Sequence, residues 1–363
     1  MKSPLHISRY FPSRGWTLIE LLVAMALGLL IIAGIGQIYL AAKRSYDIQN
    51  SIAQLQEVGR YATEAITEDI RRAGYWGLMN LDAINVATNG GKYFPTTGLT
   101  SPPYGTCPSG NDKWGRMITE KVVGLNDTAT GYNCLGTNWK RGDILTVRYA
   151  DPKPVTTYDP DALYIRTAPL EASLVFGNPV NCPSSTSPPG CTLLDYVDDT
   201  SFPPANYTYK VVAHAYYVTN SSTATQCGVA SAPALPALAQ ETLSSGPSSP
   251  GFPVKSELVT GVEQLQFQFG VDINITNTTP AGDGSVDQYF NANHFIADPT
   301  LCSSSNGTCW NQVRSVRFWI LVRGDCPEAG YTDNNTYNMG DNPYTPSDRF
   351  RRTLYTSTVA LRN

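Results

Sequence analysis

The chain has 363 residues, of which only 15% are charged, against roughly 25% in an average soluble protein. Its 26 basic and 30 acidic side chains leave a formal net charge of −4, which excludes the strongly basic footprint of a nucleic-acid binder. Three histidines (His6, His214, His294) offer little for His-rich metal sites, while 21 Tyr, 30 Gly and 26 Pro favour strands and turns. That balance speaks against a cytosolic helical enzyme.

Residues 16–42 carry one charge in 27 positions. As a helix they span about 40 Å, enough to cross a bilayer core of roughly 30 Å. Lys2, Arg9 and Arg14 precede the run, and Lys43 and Arg44 follow it. The excess of positive charge on the leader side predicts an N-in, C-out orientation. Glu20 is the anomaly, because a carboxylate inside such a run costs on the order of 2.5–3.5 kcal/mol. Cleavage between Gly15 and Trp16 would create an α-ammonium able to neutralise Glu20 of a neighbouring subunit inside the apolar layer.

Beyond the membrane run, Ile48, Ile52, Leu55, Val58, Ala62, Ile66 and Ile70 recur at three-to-four spacing and predict an amphipathic helix over residues 45–72. Arg71 and Arg72 fall in its last turn, where they suit the negative helix end, and Gly74 follows as a left-handed stop. From residue 76 onward the pattern turns to β. Strands are expected at Glu120–Leu125, Asp143–Tyr149, Ala162–Thr167, Tyr209–Thr219, Val262–Val271, Val313–Arg323 and Thr353–Leu361, with Val313–Arg323 central. Segments 95–112, 178–190 and 228–253 read as connections. The last is Ala/Pro/Ser-rich and is expected to be a mobile stretch or a boundary between two lobes.

The eight cysteines, Cys107, Cys134, Cys182, Cys191, Cys227, Cys302, Cys309 and Cys326, all follow the apolar run, and none forms a C-x-x-C pair. An even set in a low-charge extracytoplasmic chain predicts disulfides formed in an oxidising compartment, with the connectivity left open. Asp272, Asn274, Asn277, Asp283 and Asp287 surround Gly282 and Gly284, a set of hard oxygens that reads either as an ordinary Asn/Asp/Gly turn or as a weak Ca²⁺ loop. No sequence motif of a nucleophilic hydrolase, a P-loop or a zinc protease is found. His214, within the apolar run Val211–Tyr217, reads as a satisfied core residue.

The stretch Arg14-Gly15-Trp16-Thr17-Leu18-Ile19-Glu20-Leu21 resembles the class III signal of type IV prepilins and type II secretion pseudopilins. The resemblance implies cleavage after Gly15 by prepilin peptidase, N-methylation of Trp16, and subunit registration by Glu20. It departs from the family in one place, since Trp16 stands where Phe is usual. Segments 257–272, 313–323 and 351–363, with the helix exit Ile70–Gly77, are similar to PilW-type minor pilins. The implied fold is α+β and pilin-like, a long N-terminal helix packed on an enlarged, disulfide-bonded antiparallel β domain. Its parts are a leader at 1–15, a membrane or pilus-core helix at 16–42, an amphipathic continuation at 43–75 and an extracytoplasmic domain at 76–363. The implied role is initiation and tip capping of a type IV pilus, without catalysis or a required cofactor. Implied partners are other minor pilins, the major pilin, prepilin peptidase, the inner-membrane assembly platform and a large tip adhesin. The chain would wait in the inner membrane before assembly and end at the cell surface. Two rival readings remain, a J-type minor pseudopilin of a type II secretion system and a membrane-anchored, disulfide-rich adhesin.

Overall fold

The computed structural model describes residues 15, 17–77, 84–85, 121–129, 138–159, 162–167, 172–176, 207–242, 254–272, 284–297 and 309–361. Helix α1 runs from Leu18 to Arg72, 55 residues without a break. Thr17 starts it: its carbonyl accepts from the N–H of Glu20 (3.1 Å) and Leu21 (3.2 Å), and its Oγ1 lies 3.3 Å from the Glu20 N–H. Gly74 ends it with φ 78°, the expected left-handed stop, and its N–H donates to the Arg148 carbonyl at 3.0 Å.

The chain divides into two units, Met1–Ala53 and Gln54–Asn363. In the first, the apolar side chains of α1 are exposed from Leu18 (77%) to Leu40 (56%). In the second, α1 buries Leu55, Val58, Gly59, Ala62, Ile66, Asp69 and Ile70. The sequence stripe therefore becomes a core face from Leu55 onward, whereas Ile52 is 38% exposed. Gly59 is required by a close approach, because a methyl group there would overlap the Tyr355 ring. Without it the ring lies against the helix and the Tyr355 hydroxyl donates to the Leu55 carbonyl at 3.1 Å.

The strands in chain order are β1 (Ile84–Asn85), β2 (Val122–Leu125), β3 (Arg141–Pro154), β4 (Leu163–Thr167), β5 (Ala172–Phe176), β6 (Tyr207–Thr225), β7 (Ala234–Thr242), β8 (Val254–Thr260), β9 (Val262–Val271), β10 (Gln288–Phe290), β11 (Val313–Arg323), β12 (Tyr337–Met339), β13 (Asn342–Tyr344) and β14 (Arg352–Ala360). A short helix α2, Ala292–Ala297, follows β10. The larger sheet has the order β1-β5-β4-β6-β3-β2, with β7 joining β6 to β8, and the smaller sheet has the order β10-β9-β11-β14. All pairings are antiparallel except β1 with β5. β11 is an interior strand of the smaller sheet, as its apolar sequence predicts. β12 and β13 form a separate hairpin.

One apolar cluster joins the two sheets to α1. Leu55, Val58, Ala62, Ile66 and Ile70 from the helix meet Leu145, Val147 and Val218 from the larger sheet, and Leu265, Phe267, Phe318 and Ile320 from the smaller. The expected mobile stretch at 228–253 is corrected over Ala234–Thr242, which is strand β7, hydrogen-bonded to β6 on one side and β8 on the other. Its Ala/Pro composition carries no strand signature, and pairing with β6 and β8 fixes it as a strand. Ala239 packs with Ala213, Ala215 and Tyr217. Residues 229–233 before it form a turn without strand pairing, and 243–253 after it lie outside the described residues.

Candidate functional site

The N-terminal site is built on the first turn of α1. Gly15 is exposed, and Trp16 lies outside the described residues, as does the leader 1–14. Glu20 sits in the first helical turn, where the carboxylate faces the positive end of the helix dipole. Around it Leu18, Ile19, Leu21, Leu22 and Val23 are all more than half exposed. The result is one acidic group on an apolar helix surface with no side chain from the same unit bonded to it among the described contacts. α1 is long and apolar enough to cross a membrane.

The other end of α1 is fixed to the larger sheet by a buried carboxylate. Asp69, 5% exposed, accepts from the Tyr149 hydroxyl (2.7 Å) and the Tyr216 hydroxyl (2.6 Å), and its Oδ2 lies 2.5 Å from His214 Nδ1. Gln240 Nε2 reaches Tyr216 Oη at 2.7 Å and His214 Nδ1 at 3.0 Å, so β3, β6 and β7 all take part. Burial raises the Asp69 pKa, but bonds from His214, Tyr216 and Tyr149 outweigh it and hold the carboxyl below its ordinary value. His214 is thus satisfied, as expected, by a carboxylate the sequence reading did not single out. The available signal was Asp69 itself, an acid set one position from Ile70 inside the apolar stripe.

A second clamp holds the last strand. Arg352 on β14, with a fully buried side chain, bonds Glu263 on β9 (Nε to Oε2, 2.5 Å) and Asp348 (2.6 and 2.7 Å), with Asp333 3.4 Å away. Arg323 Nη1 lies 3.4 Å from the same Glu263. Burial alone would lower the Arg352 pKa, and the hydrogen bonds to Asp348 and Glu263 outweigh it, so the guanidinium is held charged.

Of the sequence-predicted calcium ligands, Asp272 and Asp287 fall among the described residues. Asp272, 3% exposed, accepts through Oδ2 from the Gly284 N–H (2.9 Å), and the same oxygen lies 3.4 Å from Arg314 Nε. Asp287 is exposed, and Asn274, Asn277 and Asp283 lie outside the described residues. Among the described residues no three His, Cys, Asp or Glu side chains converge as a metal-ligand set. Of the cysteines, Cys227 pairs with Cys326 across 99 residues, with Cα atoms 5.0 Å apart. Cys107, Cys134, Cys182, Cys191 and Cys302, and the side chain of Cys309, lie outside the described residues.

Residues 12–36 match the family model described as the prokaryotic N-terminal methylation motif, and residues 215–363 match that described as Type IV Pilus-assembly protein W. Among solved structures, a type IV-like pilin from Thermus thermophilus is similar at 11% identity and a TM-score of 0.25, covering 61% of this chain and 78% of that one. The search of curated proteins finds no match. A methylation motif at the head of a long exposed apolar helix, followed by a largely antiparallel β domain, defines a membrane-anchored protein of the type IV pilin class. Within that class the matches over residues 215–363 and 12–36 support a type IV minor pilin of the PilW family, a structural pilus-assembly family.

Proposed function

We propose that this chain is a minor pilin that helps to start a type IV pilus and caps its tip. Prepilin peptidase cuts between Gly15 and Trp16 and methylates the new terminus. The mature helix then leaves the inner membrane, where the β domain is periplasmic, and enters a priming complex with other minor pilins on the assembly platform. The carrying observation is Glu20, a carboxylate held at the start of an exposed apolar helix inside the matched motif. Its cost in a hydrocarbon layer, on the order of 2.5–3.5 kcal/mol, is offset when a neighbour's terminal ammonium lies beside it. A tip position is supported by bulk, because the residues beyond 75 make a head difficult to repeat along a close-packed filament. The major pilin would then follow beneath it, and a large tip adhesin would sit above.

Glu20→Ala should leave cleavage at Gly15 intact and reduce surface piliation severalfold, read by mass spectrometry of the membrane fraction and by electron microscopy. Wild-type piliation in that variant would remove the registration role. Immunogold labelling of the β domain should mark filament ends, and labelling along the shaft would contradict capping.

A further inference from the structure

Outside the two clamps, the end of the β6–β7 hairpin stands apart from the sheet that carries it. The ladder between β6 and β7 runs in register to Asn220 and Pro236, breaks, and resumes only at Thr225 and Ala234. Ser221 fills the break, its Oγ accepting from the N–H of Ala224 (2.9 Å) and of Thr223 (3.3 Å). Beyond it Gln226–Gly228 form a single 3₁₀ turn. The N–H of Gln226 donates to the Pro233 carbonyl (3.0 Å), that of Val229 to Gln226 (3.1 Å) and that of Ala232 to Val229 (2.9 Å). These bonds are internal to the turn. Residues 227–231 are all exposed, and Val229 keeps 51% of its surface in solvent.

Among the described hydrogen bonds and disulfides, two ties lead from this turn to the rest of the molecule. One is the Cys227–Cys326 bond, and the other is the Cys227 N–H, 3.3 Å from the Asp325 carbonyl. Both join the hairpin of the larger sheet to the exit of β11 in the smaller. Asp325 is in turn set against α1, its Oδ2 accepting from Gln54 Nε2 at 2.6 Å. The β11 side is firm, since the Gly324 N–H donates to the Arg351 carbonyl (2.9 Å) and the Arg323 N–H to the Gly261 carbonyl (2.8 Å). The hairpin side is not. Cys227 has φ 52° and ψ 19°, the left-handed region that a non-glycine residue rarely holds, and Gly228 follows at φ 67°. The bridge therefore restrains a turn whose backbone favours another shape. Cys326 is exposed like Cys227, so a thiolate arriving from solvent meets no burial barrier.

We propose that the Cys227–Cys326 disulfide is a surface latch, opened by exchange with an external dithiol such as that of a thiol oxidoreductase, and that opening it frees the hairpin end. One thiolate of the dithiol attacks a sulfur of the bridge, forming a mixed disulfide and expelling the other sulfur as a thiolate, which takes up a proton. The second sulfur of the dithiol then displaces the first. The dithiol leaves as its own disulfide, and Cys227 and Cys326 gain the two electrons and two protons it gives up. Cys227 then returns to negative φ, which withdraws its N–H from Asp325. The latch does not rest on the role in pilus assembly.

The test titrates the full-length protein in detergent with dithiothreitol, followed by alkylation, mass spectrometry and amide hydrogen exchange. Cys227 and Cys326 should be alkylated together under native conditions, and the amides of 226–233 should then exchange at least about tenfold faster. Exchange in β9 and β11 should stay as in the oxidised protein. Cys227→Ser combined with Cys326→Ser should show the same local change without dithiol, and the dithiol-treated wild type serves if that variant does not fold. Alkylation of the pair only after unfolding in urea, or unchanged exchange at 226–233, would overturn the latch. Faster exchange spread through β6, β9 and β11 would overturn it too, marking the bond as a brace of the whole fold.

Discussion

Replacing Asp69 by Ala tests how α1 is held to the sheet. The substitution removes the acceptor for two buried hydroxyls, Tyr149 (3% exposed) and Tyr216 (1% exposed), and for His214 Nδ1. Each buried polar group left unsatisfied costs about 1–3 kcal/mol. Tyr216 and His214 keep Gln240 as a neighbour, which limits the loss, so a total of about 3–5 kcal/mol is expected. Against a folding free energy of about 5–15 kcal/mol this is a large fraction. It corresponds to a fall in melting temperature of the order of 10 °C. Asp69→Asn, which retains one acceptor, should cost about half as much. The assay is thermal and urea unfolding of the full chain in detergent, followed by near-ultraviolet circular dichroism of the tyrosines. The pH dependence has a definite sign. Asp69 has a folded-state pKa below 3.8, so its contribution is present above 3.8 and drains away as pH falls below it. The gap between wild type and Asp69→Ala should close in that acid range. A cost below about 1 kcal/mol at neutral pH would refute the clamp.

Gly59→Ala separates helix propensity from packing. On an exposed helix the change would stabilise by about 1 kcal/mol. Here the methyl group displaces the Tyr355 ring and breaks its bond to the Leu55 carbonyl, so a loss of about 1–3 kcal/mol is expected in denaturant unfolding. Any gain in stability would contradict the close approach. Glu241, 1% exposed, has its carboxyl raised to about 7 by burial, which outweighs bonds from Tyr217 and Asn138. Its neutral form is the stable one, so its contribution is present below the ordinary value of 4.5 and lost as pH rises through about 7. Glu241→Gln should therefore match wild type in acid and exceed it by about 2–3 kcal/mol at alkaline pH. Equal stability at both extremes would show that the buried acid carries no penalty.

The parts of this protein that are readable in the sequence are those whose signal is local. The amphipathic half of α1, the stop at Gly74 and the strands Val262–Val271 and Val313–Arg323 follow from period, capping and alternation within a few residues. Gly15 and Glu20 lie within the short contiguous stretch that matches the N-terminal methylation motif, which is a local signal too. β7 was not legible, since alanine and proline carry no strand signature. Its pairing with β6 and β8, and the small neighbours Ala213 and Ala215, are what make it a strand. The buried acids follow the same logic. Asp69 meets His214 across 145 positions, and Asp341 meets Asn126 across 215, so no window of sequence contains both partners. Asp272, expected from sequence as a candidate oxygen ligand, has Arg314 Nε beside it at 3.4 Å, a neighbour 42 positions away that no local window contains.

The most direct test of the account is the intact mass and N-terminal sequence of the protein recovered from membranes, with and without prepilin peptidase. The exposed apolar helix, the matched motif and Glu20 together call for a mature chain that begins at N-methylated Trp16 only when the peptidase is present. A chain that still begins at Met1 with the peptidase present, or one cut beyond residue 30, would contradict it and leave α1 as a plain membrane anchor.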